Sequence, residues 1–105
     1  MFEYQDITTR PDPSVPFWFE LPEANTQELT AVKHEFMESG ALVHAESQIG
    51  ADLLTLTRKF VLRSRQDFDA MIARFQEQNP GNYDVRKRYN AEHLHTVVSS
   101  IKESP

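Results

Sequence analysis

The sequence contains no cysteine, and its three glycines are scattered rather than clustered. The first absence excludes disulfides, cysteine-ligated metal sites and thiol nucleophiles. The second excludes a glycine-rich loop that binds phosphate. No apolar run approaches the ~20 residues that a membrane-spanning helix needs, and the N-terminus lacks the basic and apolar segments of a signal peptide. We therefore expect a cytoplasmic protein that does not contact a membrane.

Acidic side chains outnumber basic ones by 16 to 11, and the resulting net charge of −5 argues against nucleic-acid binding. Residues 1–57 carry ten acidic and two basic side chains (−8), and residues 58–105 carry six acidic and nine basic ones (+3). Three arrangements fit this asymmetry: one basic face, self-association between unlike patches, or two halves that fold over each other and neutralise locally. We favour the last, because charge runs usually form solvated surfaces.

Hydrophobic periodicity and turn residues predict a single domain. The predicted elements are, in chain order, a strand over 2–10, a proline-rich aromatic loop over 11–24, a helix over 26–39, a hairpin over 41–63, a helix over 65–79, a short helix over 83–90 and a strand over 93–101. The segment 16–21 is an alternative first strand. Gly40 is expected to end the first long helix, and Ser64 to cap the second.

The hairpin carries the strongest fold signal. A two-residue turn at Gly50-Ala51 would pair Ala45 with Leu56, so that the apolar side chains of both strands share one face. The opposite face then carries His44, Glu46, Thr55, Thr57 and Lys59. With right-handed crossovers, this order predicts an α+β ferredoxin-like βαββαβ two-layer sandwich, with antiparallel sheet order 4-1-3-2 and two helices on one face.

Arg58 interrupts the apolar face of the third predicted strand. It can pair with a carboxylate on a helix, or extend its guanidinium into solvent at the edge of the sheet. We expect the second arrangement, because burying an arginine that has no partner is very costly.

The histidines come closest to a chemical motif. His93 and His95 share one face of the last predicted strand, a spacing that can chelate zinc or copper. His44, the obvious third ligand, lies on the opposite edge strand, more than about 10 Å away at the ~4.8 Å spacing of strands. We therefore predict no metal site, no cofactor and no catalytic residue, although these three histidines could line the cavity of a dimeric barrel.

Contact with another protein is the function that the sequence favours over an enzymatic one. Phe17, Trp18 and Phe19 form an aromatic cluster in the proline-rich loop, with Trp18 as the first candidate anchor. Arg86 and Arg88 are further contact candidates. The partner is unknown, and a homo-oligomer is one option. The alternative is a dimeric α+β-barrel monooxygenase-like enzyme or small-ligand binder, by analogy of fold.

Three short patterns are spread along the chain: Val-Pro-Phe-Trp at 15–18, Leu-Thr-x-x-Phe at 56–60 and Arg-x-x-Tyr-Asn at 86–90. Together with the short N-terminal strand, they resemble small uncharacterised proteins encoded by tailed, particularly marine, phages. The resemblance implies an accessory or virion-associated protein, located in the host cytoplasm or in the virion. It transfers no catalytic residue, because such proteins have no assigned activity.

Overall fold

The structure is a computed structural model, and it describes residues 1–15, 17, 27–78 and 96–104. The elements in this part of the chain are β1 (Phe2–Thr9), α1 (Gln27–Glu38), β2 (Leu42–Ile49), β3 (Thr55–Leu62), α2 (Arg65–Gln78) and β4 (Thr96–Glu103). The strands form one antiparallel sheet in the order β2-β3-β1-β4. The predicted α+β sandwich and sheet order are therefore confirmed. The short helix predicted over 83–90 lies outside the described residues.

The ends of the helices follow local signals in the sequence. Gly40 follows α1 with a φ of +83°, a left-handed conformation that glycine adopts without strain. At the start of α2, the Ser64 hydroxyl accepts a hydrogen bond from the Asp67 amide at 3.2 Å and donates one to Asp67 Oδ2 at 2.9 Å. Hydrogen bonds from Arg63 and Ser64 hold the pKa of the Asp67 carboxyl below its usual value. Both predicted helix signals therefore operate in the fold.

The core lies between the sheet and the two helices. On α2, the four apolar residues at helical spacing are all buried: Phe68, Met71, Ile72 and Phe75. They pack against alternate residues of β1 and β3, and the ring of Phe68 lies 4.8 Å from that of Phe2 and 5.2 Å from that of Tyr4. On α1, Val32 is buried against this core, whereas Met37 is 40% exposed.

The predicted register of the hairpin is wrong. Ala45 lies opposite Phe60 rather than Leu56. The cause is a longer connection, in which the Gly50 amide donates to the Thr55 carbonyl at 2.8 Å and Leu53 takes a left-handed φ of 64°. The shift between the two registers is four residues (Phe60 against Leu56), an even number. Alternation therefore keeps the even-numbered residues of β3 on the predicted inner face.

A β-bulge at Val43 changes the faces of β2. The pairing with β3 is irregular between Leu42 and His44, which leaves Val43 as an extra residue. Leu42 is buried, whereas Val43 and Ile49 are each 51% exposed. The predicted inner face for the apolar side chains of the hairpin is therefore wrong for Val43, which the bulge takes out of the alternation. Ile49 keeps the predicted face, opposite the buried Leu56, but lies at the exposed end of the strand.

Among the described residues, three ion pairs join the acidic first half of the chain to its basic second half. They are Asp6 with Arg58, Glu3 with Lys59, and Glu35 with Arg74. The first two link β1 to β3, and the third links α1 to α2. These pairs support the interpretation that the two halves neutralise each other locally.

Candidate functional site

A buried ion pair lies on the face of the sheet that meets the helices. Asp6 on β1 is directly opposite Arg58 on β3, and their exposed fractions are 0% and 2%. The Arg58 Nε donates to Asp6 Oδ1 at 3.0 Å, and a second guanidinium nitrogen contacts Oδ2. The Tyr4 hydroxyl also donates to Oδ2, at 2.9 Å. Both carboxylate oxygens are thus satisfied inside the fold.

The prediction that Arg58 reaches solvent is therefore wrong. Its partner is a carboxylate on the neighbouring strand, 52 residues away in the sequence, rather than one on a helix. A signal did exist, because Asp6 occupies the same alternating face as the apolar Phe2 and Tyr4. A carboxylate at such a position requires a buried cationic or hydrogen-bonding partner.

The same inner face of β1 continues to Thr8, which is fully buried. Its Oγ1 makes no hydrogen bond with the part of the chain that the structure describes. A buried hydroxyl without a partner costs about 1–3 kcal/mol of folding free energy. Thr8 lies two residues beyond Asp6 and opposite Leu56, so the inner face changes from aromatic to polar along β1.

The other face of the sheet, which we call the open face, has no helix packed on it within the described residues. Strand alternation and register define its side chains. They are His44, Glu46 and Gln48 on β2; Thr55, Thr57, Lys59 and Val61 on β3; Glu3, Gln5, Ile7 and Thr9 on β1; and Thr96, Val98, Ser100 and Lys102 on β4. The polar set predicted for this face is confirmed.

Charge on the open face is concentrated at one end. Glu3 pairs with Lys59 at 3.1 Å and lies opposite Lys102 on β4. Glu46 lies 3.4 Å from His44, and both are more than half exposed. The face carries two carboxylates and two lysines, so its formal charge is zero when His44 is neutral.

The other end of the open face is uncharged. Ile7 and Val98 are cross-strand neighbours there, 37% and 61% exposed. Threonines surround them on three strands, including Thr57 directly opposite Ile7. The open face is therefore a mixed surface, with one charged end and one end that combines β-branched apolar and hydroxyl groups.

The structure brings few of the predicted site residues together. His44 lies on the open face. Trp18, Phe19, Arg86, Arg88, His93 and His95 lie outside the described residues, and their predicted roles stay predictions. In the described ranges, no group of three or more metal-binding side chains is placed to hold a metal ion. No helix there is long and apolar enough to cross a membrane.

Phe17 is half-buried, and Arg10 holds it in place. The Arg10 guanidinium lies 4.1 Å from the centre of the Phe17 ring. It also donates to the carbonyl of Leu53 at 2.8 Å and to that of Val15 at 3.0 Å. Arg10 therefore links the start of the aromatic cluster to the tip of the hairpin.

The chain matches no known family model and no curated protein. It is similar to the solved structure of a dimeric ferredoxin-like protein from an uncultured marine organism, with a TM-score of 0.55, 12% identity, and coverage of 99% of this chain and 96% of that one. This chain has the ferredoxin-like fold. Rv0793 from Mycobacterium tuberculosis is also similar, with a TM-score of 0.51, 14% identity, and coverage of 100% and 96%. The link of this ferredoxin-like chain to phages stays a prediction.

Proposed function

We propose that this protein acts by protein contact, and that its open face binds a second copy of the chain. The observation that carries the proposal is the open face itself. Four strands of eight residues each present one whole side without a described helix over it. Ile7 and Val98 stay exposed there although both are large and apolar, and exposed apolar groups rimmed by polar ones are typical of interaction sites.

The charge of the open face favours a second copy over an unlike partner. The whole chain carries −5, so two copies repel each other on average. The open face carries no net formal charge, because Glu3 and Glu46 are matched by Lys59 and Lys102. Two such faces can meet without net repulsion. The similar marine protein is a dimeric ferredoxin-like protein, which supports self-association of this chain.

Sedimentation velocity over a wide concentration series tests the proposal. We expect the wild type to be a dimer and Ile7→Lys to be a monomer, because the new ammonium group would be buried between the two sheets. Ala73→Lys makes the same change in charge at an exposed position of α2, and it should leave the dimer intact. A wild type that stays monomeric throughout, or an Ile7→Lys variant that still dimerises, would overturn the proposal.

The resemblance to phage proteins adds a biological setting to this contact function. We propose that the dimer is a phage-encoded accessory or virion-associated component. Antibody detection in purified virions and in infected host cytoplasm tests this. Absence from both compartments throughout infection would contradict it.

A second candidate function is the binding of a small polar molecule, as in a ligand-binding or enzymatic α+β barrel. The observation that favours it is the Thr8 hydroxyl, which is buried beside the Asp6–Arg58 pair. A screen of small polar compounds by thermal unfolding tests it, with Thr8→Val as the control. A true ligand should raise the unfolding temperature of the wild type and have less effect on the variant. Equal shifts in both proteins would remove Thr8 from the site.

A further inference from the structure

We infer that the two open faces meet about a two-fold axis parallel to the strands, so that Glu46 of each copy pairs with the partner's Lys102 and ionic strength controls the association. This arrangement rests on the proposed contact through the open face. It specifies how the second copy is oriented and which condition regulates its binding.

The order of the strands determines what such an axis brings together. In the order β2-β3-β1-β4, an axis between β3 and β1 places β2 over the partner's β4 and β3 over the partner's β1. Such an axis leaves the direction of every strand unchanged, so the charged end of one open face covers the charged end of the other. Aligned packing of this kind is a common way for two sheets to stack.

Opposite charges then become neighbours across the interface. Glu46 on β2 lies over the partner's β4, two residues along the strand from the partner's Lys102. Lys59 on β3 lies over the partner's β1, at the same offset from the partner's Glu3. Stacked sheets are about 10 Å apart, and one residue pair is about 7 Å along a strand. Long lysine and glutamate side chains span such a gap, and two two-fold-related sets of pairs form.

The alternative orientation leaves the same charges without partners. An axis perpendicular to the strands and parallel to the sheets would place each strand over the same strand of the partner, running in the opposite direction. Glu3 would then cover the partner's Thr9, and Lys59 would cover the partner's Thr57. Burying charges against hydroxyl groups loses hydration without gaining an ion pair, so the orientation parallel to the strands is favoured.

The side chains that this arrangement uses are available for pairing. Glu46 is 58% exposed, with His44 3.4 Å away and Lys59, which pairs with Glu3, as its cross-strand neighbour on β3. Lys102 is exposed on an edge strand. The Glu3–Lys59 pair is already formed within one copy, about one-third exposed, and the partner's pair would extend it into a network of four charges.

A charge-swap experiment tests the orientation. The dissociation constant of the dimer is measured by sedimentation equilibrium at low and high salt for Glu46→Lys, Lys102→Glu and the double variant. Each single change should weaken the dimer at least about fivefold at low salt, the factor that corresponds to 1 kcal/mol. The double variant should restore wild-type affinity, and high salt should weaken the wild type and reduce these differences.

A control separates pairing from net charge. Glu46→Lys combined with Arg65→Glu, an exposed residue on α2, also leaves the net charge unchanged but supplies no partner on the open face. It should therefore remain as weak as Glu46→Lys alone.

The outcomes distinguish this inference from the proposed function. If the wild type dimerises and Ile7→Lys dissociates it, but the charge swap gives no rescue or the control rescues equally, the orientation is wrong and the open-face contact stands. A dimer that is insensitive to salt would also overturn the orientation. If the wild type is a monomer, both the inferred orientation and the proposed contact through the open face are wrong.

Discussion

On β3, Arg58 and Lys59 are adjacent cationic residues that point to opposite faces of one sheet. Arg58 points toward the helices, is almost fully buried and donates to Asp6, which also accepts a hydrogen bond from the Tyr4 hydroxyl. Lys59 points to the open face, and its pair with Glu3 remains about one-third exposed. The inner charge must find its partner within the chain, because the core supplies no water. The outer charge keeps its hydration and can exchange partners, so the same sheet has one face that stabilises the fold and one that, in the proposed dimer, serves association.

Replacing each cation by methionine should give the largest difference in unfolding free energy between the two faces. Arg58→Met leaves the Asp6 carboxylate buried without its main partner, which should cost about 3–5 kcal/mol of unfolding free energy. Lys59→Met breaks a partly exposed pair and should cost less than about 1 kcal/mol. Urea unfolding of both variants at low protein concentration measures the difference. Equal losses would mean that burial does not distinguish the two pairs.

The inner face also contains Leu56, which is 5% exposed. Leu56→Ala should reduce the unfolding free energy by about 2–5 kcal/mol, because truncation of a buried leucine loses transfer free energy and leaves a cavity. Leu53→Ala is the matched control, since Leu53 is 51% exposed in the hairpin loop. A shift in the urea midpoint that corresponds to well under about 1 kcal/mol for Leu56→Ala would contradict its place on the inner face.

Thr8 gives the smallest expected effect, and the effect has the opposite sign. Thr8→Val keeps the shape of the side chain and removes a buried hydroxyl that has no partner in the described chain, so it should stabilise the protein by about 1 kcal/mol. Thr57→Val, on the open face, should change stability by less than about 0.5 kcal/mol. Calorimetry measures both. Destabilisation by Thr8→Val would show that the hydroxyl is satisfied in solution.

Much of the fold could be predicted because its signals are local. The apolar spacing of α2, the Ser64 cap and the glycine after α1 each act within a few residues. The prediction of the hairpin register was wrong because Leu53 adopts a left-handed conformation that sequence propensity does not favour. The even shift preserved the faces of β3, and on β2 the bulge changed the predicted alternation at Val43.

Only part of the candidate site could be predicted from the sequence. Alternation within the hairpin placed His44, Glu46 and Lys59 on the open face. The contributions of Val98 and Lys102 depend on the pairing of β4 with β1, between residues about ninety positions apart. The Asp6–Arg58 pair depends on the pairing of β1 with β3, between residues 52 positions apart. No short-range pattern specifies such contacts, so reasoning from local periodicity could not supply them.

A distance between two spin labels tests most directly whether the open face is the association face. The chain has no cysteine, so Gln5→Cys places a single label near the centre of the open face, and Asp69→Cys places one on the exposed side of α2. Stacked sheets are about 10 Å apart, and a helix of about 10 Å diameter lies outside each sheet. We therefore predict a short distance between the two Gln5→Cys labels and one longer by about 20 Å between the Asp69→Cys labels. No dipolar coupling for Gln5→Cys, or a shorter distance for Asp69→Cys, would contradict the account.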